Sequence, residues 1–168
     1  LFSGTQSIGN EARKRNWNVV SLDRDLPSDI KEDILTWDYK IYPTGHFDLI
    51  TASPVCLYWS LIRKSWIGRK LKMHGDVIIT KEILENDINK FGKPMVDKLR
   101  EIINYFKPKY WWIENPKSSS MKNYITDLPY YDVDYCQYSN WGYKKPTRFW
   151  TNIKNFTPKT CHKLCPNI

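Results

Sequence analysis

The chain has no apolar run near the roughly 18 residues that a membrane-spanning helix requires, so no membrane partner is expected. It has no internal repeat and no Gly/Ser-rich linker, which argues against a repeat architecture and against flexibly tethered domains. Cysteine is sparse, and Cys56, Cys136, Cys161 and Cys165 are unevenly placed, so no disulfide framework is expected and a reducing intracellular compartment is. There is no initiating Met and no visible signal peptide; the chain reads as entered inside a strand and truncated at its N-terminus. Acidic residues are outnumbered, with 18 Asp and Glu against 26 Lys and Arg, a formal net charge of +8. What is present is globular in kind: 41% hydrophobic and 26% charged residues exclude disorder as the main description. The length of 168 residues fits one domain at about 150 residues per domain. Aromatic residues are plentiful at 15%, with 8 Trp and 11 Tyr. A basic surface rich in aromatics suits a polyanion with stackable bases, although a solvated basic face has the same composition.

The recurring pattern is strand, turn, helix. Leu1 and Phe2 read as the end of a first strand, and residues 17–22 (WNVVSL) as a second, closed by Asp23. Residues 46–52 (HFDLITA) form a third apolar run, and residues 110–113 (YWWI) a fourth. Residues 131–138 and 149–153 are weaker strand candidates, and residues 10–16 a short helix. Val96, Leu99, Ile103 and Phe106 recur at spacings of three and four, one apolar helix face with Pro94 in its first turn. Alternating strands and helices predict an α/β fold with a mostly parallel sheet and helices on both faces. Ligand sites in such sheets lie beyond the carboxyl ends of the strands. The chemically loaded residues fall there: Ser3-Gly4, Asp23, Ser53 to Cys56, and Glu114-Asn115.

Residues 3–9 (SGTQSIG) follow a strand and lead towards a helix, and Gly4 would let a ligand approach the backbone. An acid about 20 positions on is the expected acceptor for a ribose hydroxyl, and Asp23 holds that place. A tight turn capped by Asp23 explains the same residues. Asp33, followed by Ile34, could face a purine amino group or be an ordinary exposed acid. Gln6 interrupts the glycines that a pyrophosphate needs, so S-adenosylmethionine fits better than a dinucleotide, which stays as the rival. Cys56, just past the third strand, is a candidate nucleophile whose thiolate the basic residues Arg63, Lys64, Arg69, Lys70 and Lys72 would favour. Its alternative is a small buried hydrophobe. Glu114 follows YWWI, where partial desolvation would raise its proton affinity and suit it to proton transfer; a strand-end cap is the plainer role.

On these residues the chain resembles the cytosine-5 DNA methyltransferases, most closely the short forms of phages and large DNA viruses. The resemblance runs from Leu1 to about Asn152. Phe2, Ser3, Gly4 and Thr5 with Ile8 and Gly9 look like the cofactor loop, Asp23 like the ribose acid, and Asp33 with Ile34 like the adenine contact. Ser53, Pro54, Cys56, Trp59 and Ser60 look like the nucleophile motif, and Glu114-Asn115 like its Glu-Asn pair. Residues 138–152 (YSNWGYKKPTRFWTN) look like the late motif, with Thr147 or Arg148 supporting the nucleophile. The resemblance implies a Rossmann-like methyltransferase fold and one catalytic domain over 1–168, with residues 153–168 a tail. It also implies S-adenosylmethionine as cofactor and a cytosine flipped out of duplex DNA as substrate. Residues 61–75 would close over DNA phosphates.

Gln6, Val55 and Leu57 depart from the family pattern, Pro116 follows Glu-Asn where the large enzymes have Val, and the paired arginines of the late motif are reduced to Arg148. With 16 residues after Asn152, no separate target-recognition domain is expected, and whether a separate subunit supplies recognition is left open by the sequence. A catalytically degenerate binding module and an RNA cytosine methyltransferase are the competing readings. Cytoplasm and host nucleus are not distinguished. Cys161, His162 and Cys165 crowd into five residues with no partner pair, a poor zinc pattern, so no metal is expected.

Overall fold

The computed structural model describes residues 1–139 and 143–162. Helix α1 (Ser7–Lys14) is followed by strand β1 (Leu49–Ala52), helices α2 (Lys81–Asp87) and α3 (Lys93–Phe106), and strands β2 (Tyr110–Pro116), β3 (Tyr130–Asp134) and β4 (Pro146–Thr151). The strands form one sheet in the order β1-β2-β4-β3.

That sheet is mixed, which corrects the expectation of a mostly parallel one. β1 and β2 run parallel, from Leu49 opposite Tyr110 to Ala52 opposite Ile113. β4 is antiparallel to both β2 and β3. Connection length explains the difference. A parallel return needs a crossover of about a dozen residues or more, usually helical. Residues 53–109 supply one, with α2 and α3 inside it. Residues 135–145 join β3 to β4 with no α-helix among the described residues, and so can only fold back.

The parallel side continues past β1 as single hydrogen bonds. The Leu1 nitrogen donates to the Thr51 carbonyl at 2.6 Å, and the Ser53 amide to the Leu1 carbonyl at 3.3 Å. On the other flank the Ser3 amide bonds the Leu22 carbonyl at 3.0 Å, and Leu22 bridges Ile30 in parallel. The second strand expected over residues 17–22 shrinks to that bridge, because Trp17 and Val20 stay exposed and only Ser21 and Leu22 are buried.

The expected apolar stripe of α3 is buried in full: Val96, Leu99, Ile103 and Phe106, joined by Ile102. They meet Ile50, Ala52, Ile113 and Trp150 of the sheet in the core. Each such side chain contributes about 1.5–3 kcal/mol on leaving water. α1 buries none of its residues. Between α2 and α3 the helix widens into a π turn at Ile88–Gly92. Pro94, just after it, has no N–H for a helical bond, and the wide turn accommodates its ring. Gly92 is required there for close approach: a Cβ would stand 3.0 Å from the Trp59 indole.

The segment expected to be a tail is tied down where it is described. The Cys161 amide donates to Asp134 Oδ2 at 2.7 Å, and the Asp134 amide to the Lys159 carbonyl at 3.0 Å. No helix among the described residues is long and apolar enough to cross a membrane.

Candidate active site

The parallel register of β1 and β2 builds the site. Ala52 and Ile113 are the last partners of the two strands, so the residues after them adjoin at the carboxyl edge of the parallel pair, those of β1 leaving the sheet and those of β2 staying paired with β4. From β1 comes Ser53-Pro54-Val55-Cys56; from β2 comes Glu114-Asn115-Pro116. A side chain joins the two ends: Asn115, 1% exposed, donates from Nδ2 to the Pro54 carbonyl at 2.9 Å. The other atom of that amide, Oδ1, is buried with no hydrogen-bond partner among the described residues.

Cys56 is exposed and unpaired, at the start of a 3-10 turn over Leu57–Trp59. A buried root holds it. Pro54 lies on one side, and on the other Trp59 stacks on Tyr124 with centroids 5.6 Å apart. The Trp59 carbonyl accepts from Ser120 Oγ at 2.9 Å. The thiol thus stands free on a fixed base, unlike the small buried hydrophobe of the alternative reading.

Glu114 lies on β2 opposite Phe149 of β4, with its side chain 15% exposed. Tyr135, in the 3-10 turn Tyr135–Gln137 after β3, donates its hydroxyl to Glu114 Oε2. Lys145 Nζ is 3.9 Å from Glu114 Oε1 and 4.6 Å from the centre of the Tyr135 ring. Burial pushes the Tyr135 hydroxyl well above its ordinary value, and the negative Glu114 beside it adds to the rise, so it stays a donor. Arg148 lies on β4 between Asn115 of β2 and Asp132 of β3. Its guanidinium forms a two-point pair with Asp132, at 2.7 Å and 2.9 Å, and lies 3.6 Å over the Tyr130 ring. The Arg148 bond, set against partial burial, holds the Asp132 carboxyl below the usual carboxylate range. Thr147 donates from Oγ1 to the Lys145 carbonyl at 3.1 Å. Residues 140–142 of the late motif lie outside the described residues.

The glycine loop reaches the same edge of the sheet through the Leu1–Thr51 and Ser53–Leu1 bonds. Phe2, Gly4 and Gln6 all have positive φ, and nothing stands within 4 Å of where a Gly4 Cβ would be. Ser3 Oγ is buried with no partner among the described residues. An orphaned hydroxyl beside open backbone fits a polar ligand lying along this loop. A cleft of about 260 Å³ opens there between Gly4, Thr5, Gln6, Asn10 and Pro27. Gln6 is locked in place, accepting from Arg13 and donating to the Pro27 carbonyl, both at 2.7 Å.

Asp23 sits at the expected strand end and also caps the loop. Its Oδ2 accepts from the Gly4 amide at 2.9 Å, and Oδ1 from the Asp25 and Leu26 amides at 3.0 and 2.9 Å. Partial burial works to raise its pKa, but those three amides outweigh it and keep the carboxyl below its ordinary value. Asp33 accepts from the Leu35 amide at 2.9 Å and lies 3.6 Å from Arg24. Ile34 packs into the core at 3% exposure. Thr5 bonds Ser7, Ile8 is exposed, and Gly9 lies inside α1, which starts at Ser7 rather than near residue 10.

Of the basic residues after Cys56, Lys64, Arg69, Lys70 and Lys72 are exposed. Arg63 is not available to a thiolate or a phosphate. It is buried, its guanidinium pairs with Asp87 of α2, and it donates to the Tyr58 carbonyl at 3.2 Å. His74 Nε2 meets the same Asp87 oxygen at 2.8 Å, so two points of the segment are latched to one carboxylate. The exposed Ile62, Ile67 and Met73 share that segment.

Sequence reading missed Tyr135 and Lys145, whose approach to Glu114 depends on strand pairing rather than spacing. Of Cys161-His162-Lys163-Leu164-Cys165, only the first two lie within the described residues, where no group of three or more His, Cys, Asp or Glu could hold a metal. No protein-family model matches the chain. It is 44% identical over 172 residues to a probable DNA (cytosine-5)-methyltransferase of Frog virus 3 (isolate Goorha), covering 100% of this chain and 77% of that relative. Likeness of that extent, with a thiol and an acid at adjoining strand ends, settles the kinship: the chain belongs to the DNA (cytosine-5)-methyltransferase family.

Proposed function

We propose that this chain is a single catalytic domain that methylates carbon 5 of cytosine in DNA through a covalent adduct of Cys56, on a sheet whose parallel half is Rossmann-like. The observation that carries the reading is the β1–β2 register, with Asn115 bonded to the Pro54 carbonyl two residues before the thiol. It brings the Cys56 loop and Glu114 to one edge. Ser3, Gly4 and Asp23 are the residues that would hold the cofactor, with the ionised Asp23 towards a ribose hydroxyl; Asp33 and Ser53-Pro54 would flank it. S-adenosylmethionine, when bound, supplies an electrophilic methyl group.

Cytosine carbon 5 is too electron-poor to take that methyl unaided. The Cys56 thiolate adds to carbon 6, and the displaced electron pair makes carbon 5 enamine-like. Glu114, in its protonated form, donates its proton to the ring nitrogen as negative charge develops there and accepts from the amino group. After carbon 5 accepts the methyl, its proton leaves to a base, the Cys56–carbon 6 bond breaks, and the thiolate and the aromatic ring are restored. A stacked base cannot reach Cys56, so the cytosine is flipped out of the duplex. The exposed Lys64, Arg69, Lys70 and Lys72 then serve the phosphates.

The test is incorporation of labelled methyl into cytosine-containing duplex DNA, with tRNA assayed beside it. Label on DNA that falls to background in Cys56→Ala is the expected result. Equal label in the two proteins would remove the enzymatic reading, and label on tRNA alone would move the substrate to RNA.

A further inference from the structure

The turn that begins at Cys56 rests on the place where the α2–α3 helix leaves its α register. Three residues there touch the segment that holds the thiol. Asp87 pairs with the buried Arg63, whose guanidinium also lies 5.8 Å from the centre of the Tyr58 ring. Phe91 stacks on Tyr58, with centroids 5.2 Å apart and planes 23° from parallel. Gly92 lies against the Trp59 indole, where a Cβ would come within 3.0 Å. Tyr124 stacks on the same indole, so Trp59 is wedged between them. Tyr58 and Trp59 belong to the 3-10 turn Leu57–Trp59 that Cys56 opens.

An α-helix could not present those three residues together. Positions four apart share a face of an α-helix, but positions five apart stand about 140° from each other. Asp87 and Phe91 would face the turn, and Gly92 would not. A π turn closes its bonds over five residues, so positions 87, 91 and 92 come round to one side. Ile88–Gly92 is that turn. Pro94 accounts for the widening, but not for an aromatic ring and a glycine fitted to Tyr58 and Trp59. We propose that the π turn positions the nucleophile: Phe91 through Tyr58, and Gly92 through Trp59, set the direction in which Cys56 points. The proposal deepens the functional reading above and rests on Cys56 being the nucleophile. An exposed thiol on an unsupported turn would sample many directions, and attack on a ring carbon succeeds along few of them. Phe91 and Gly92 are thus positioning residues that touch neither base nor cofactor.

The first measurement needs no turnover. The Trp59 amide donates to the Cys56 carbonyl at 3.1 Å and closes the turn, so its hydrogen exchange reports how firmly the turn is held. Its exchange should rise about ten-fold in Phe91→Ala and in Gly92→Ala, while the β2–β4 amides keep their wild-type rates. Phe91→Tyr, which retains the stacked ring, should keep the wild-type rate. Deleting the exposed Asn89 removes the extra residue and should loosen the turn as much; the substitutions decide if the shorter protein does not fold. The kinetic counterpart in Phe91→Ala is a kcat about ten-fold lower at unchanged KM for DNA, restored in Phe91→Tyr. Iodoacetamide, which needs no one direction of approach, should alkylate Cys56 at the wild-type rate in both. Trp59 exchange that is unmoved in Phe91→Ala and Gly92→Ala, or that rises no more than that of the β2–β4 amides, overturns the proposal. So does a loss confined to KM, or alkylation that falls in step with kcat, which would make the π turn a control on access instead of direction. If the turn loosens in the variants but the wild-type protein transfers no methyl, the support stands and the reaction assigned to the thiol does not.

Discussion

Cys56 and Glu114 both lie just past the last paired residues of two neighbouring parallel strands, yet the protein treats them in opposite ways. The thiol stands exposed on a short turn, between Val55 at 42% and Leu57 at 36% exposure, with only its root buried. The acid sits within a paired strand, with a tyrosine hydroxyl on one oxygen and a lysine near the other. In the proposed reaction the thiol, as nucleophile, has to reach an atom of an incoming base, so access matters most for it. The acid, proposed to stabilise developing charge, would act by being already in place, so its supports matter most. Asn115 is the link, on the strand of the acid but bonded to the loop of the thiol.

The comparison can be broken from either side. Glu114→Gln should lower methyl transfer by about a thousand-fold while iodoacetamide alkylates Cys56 at the wild-type rate. If alkylation slows in step, the two groups are not independent in the way described. On the thiol side, Arg63→Met leaves Asp87 as a buried charge without its main partner and should lower stability by about 3–5 kcal/mol in urea unfolding. The segment after Cys56 should then open to protease before the β2–β4 pairing does. Asn115→Ala strips the Pro54 carbonyl of its donor and should cost about 1–3 kcal/mol, with a change in Cys56 alkylation that Glu114→Gln does not produce.

The smallest effect concerns the antiparallel side and pH. Asp132 titrates below its ordinary value in the folded protein because Arg148 holds it ionised. Its contribution to stability is therefore full above the unfolded value, about 3.9, and is lost as pH falls through the lower folded value. The melting temperature of Asp132→Asn should lie below that of wild type at pH 7, and the gap should close as the pH drops below about 4. A gap that widens in acid would mean that Arg148 is not its partner.

Much of the parallel side was legible because its signals are local. The α3 stripe announces itself by spacing, YWWI by composition, and Cys56 and Glu114 by lying just beyond apolar runs. The antiparallel side was not, because register between β4 and its neighbours is a long-range property. Nothing near Glu114 in the chain points to Tyr135 or Lys145. Thr147 or Arg148 was read from its motif position as a support for the nucleophile; that pairing with β3 sets Arg148 opposite Asp132 is a matter of register, which the motif does not carry. Arg63 looked like one more surface cation, and only the fold of α2 beneath it reveals a buried pair. At Asp23 the plainer reading is visible, since the carboxylate expected to meet a ribose caps the glycine loop.

The most direct measurement traps the reaction at its midpoint. A duplex oligonucleotide carrying 5-fluorocytosine is incubated with the protein and S-adenosylmethionine, then resolved under denaturing conditions. Fluorine cannot leave as the carbon-5 proton does, so a covalent complex should accumulate with wild type, with its cross-link mapped to Cys56, and be absent from Cys56→Ser. A folded wild-type protein that forms no such complex, or one cross-linked through another residue, would contradict the assignment of this thiol as the nucleophile.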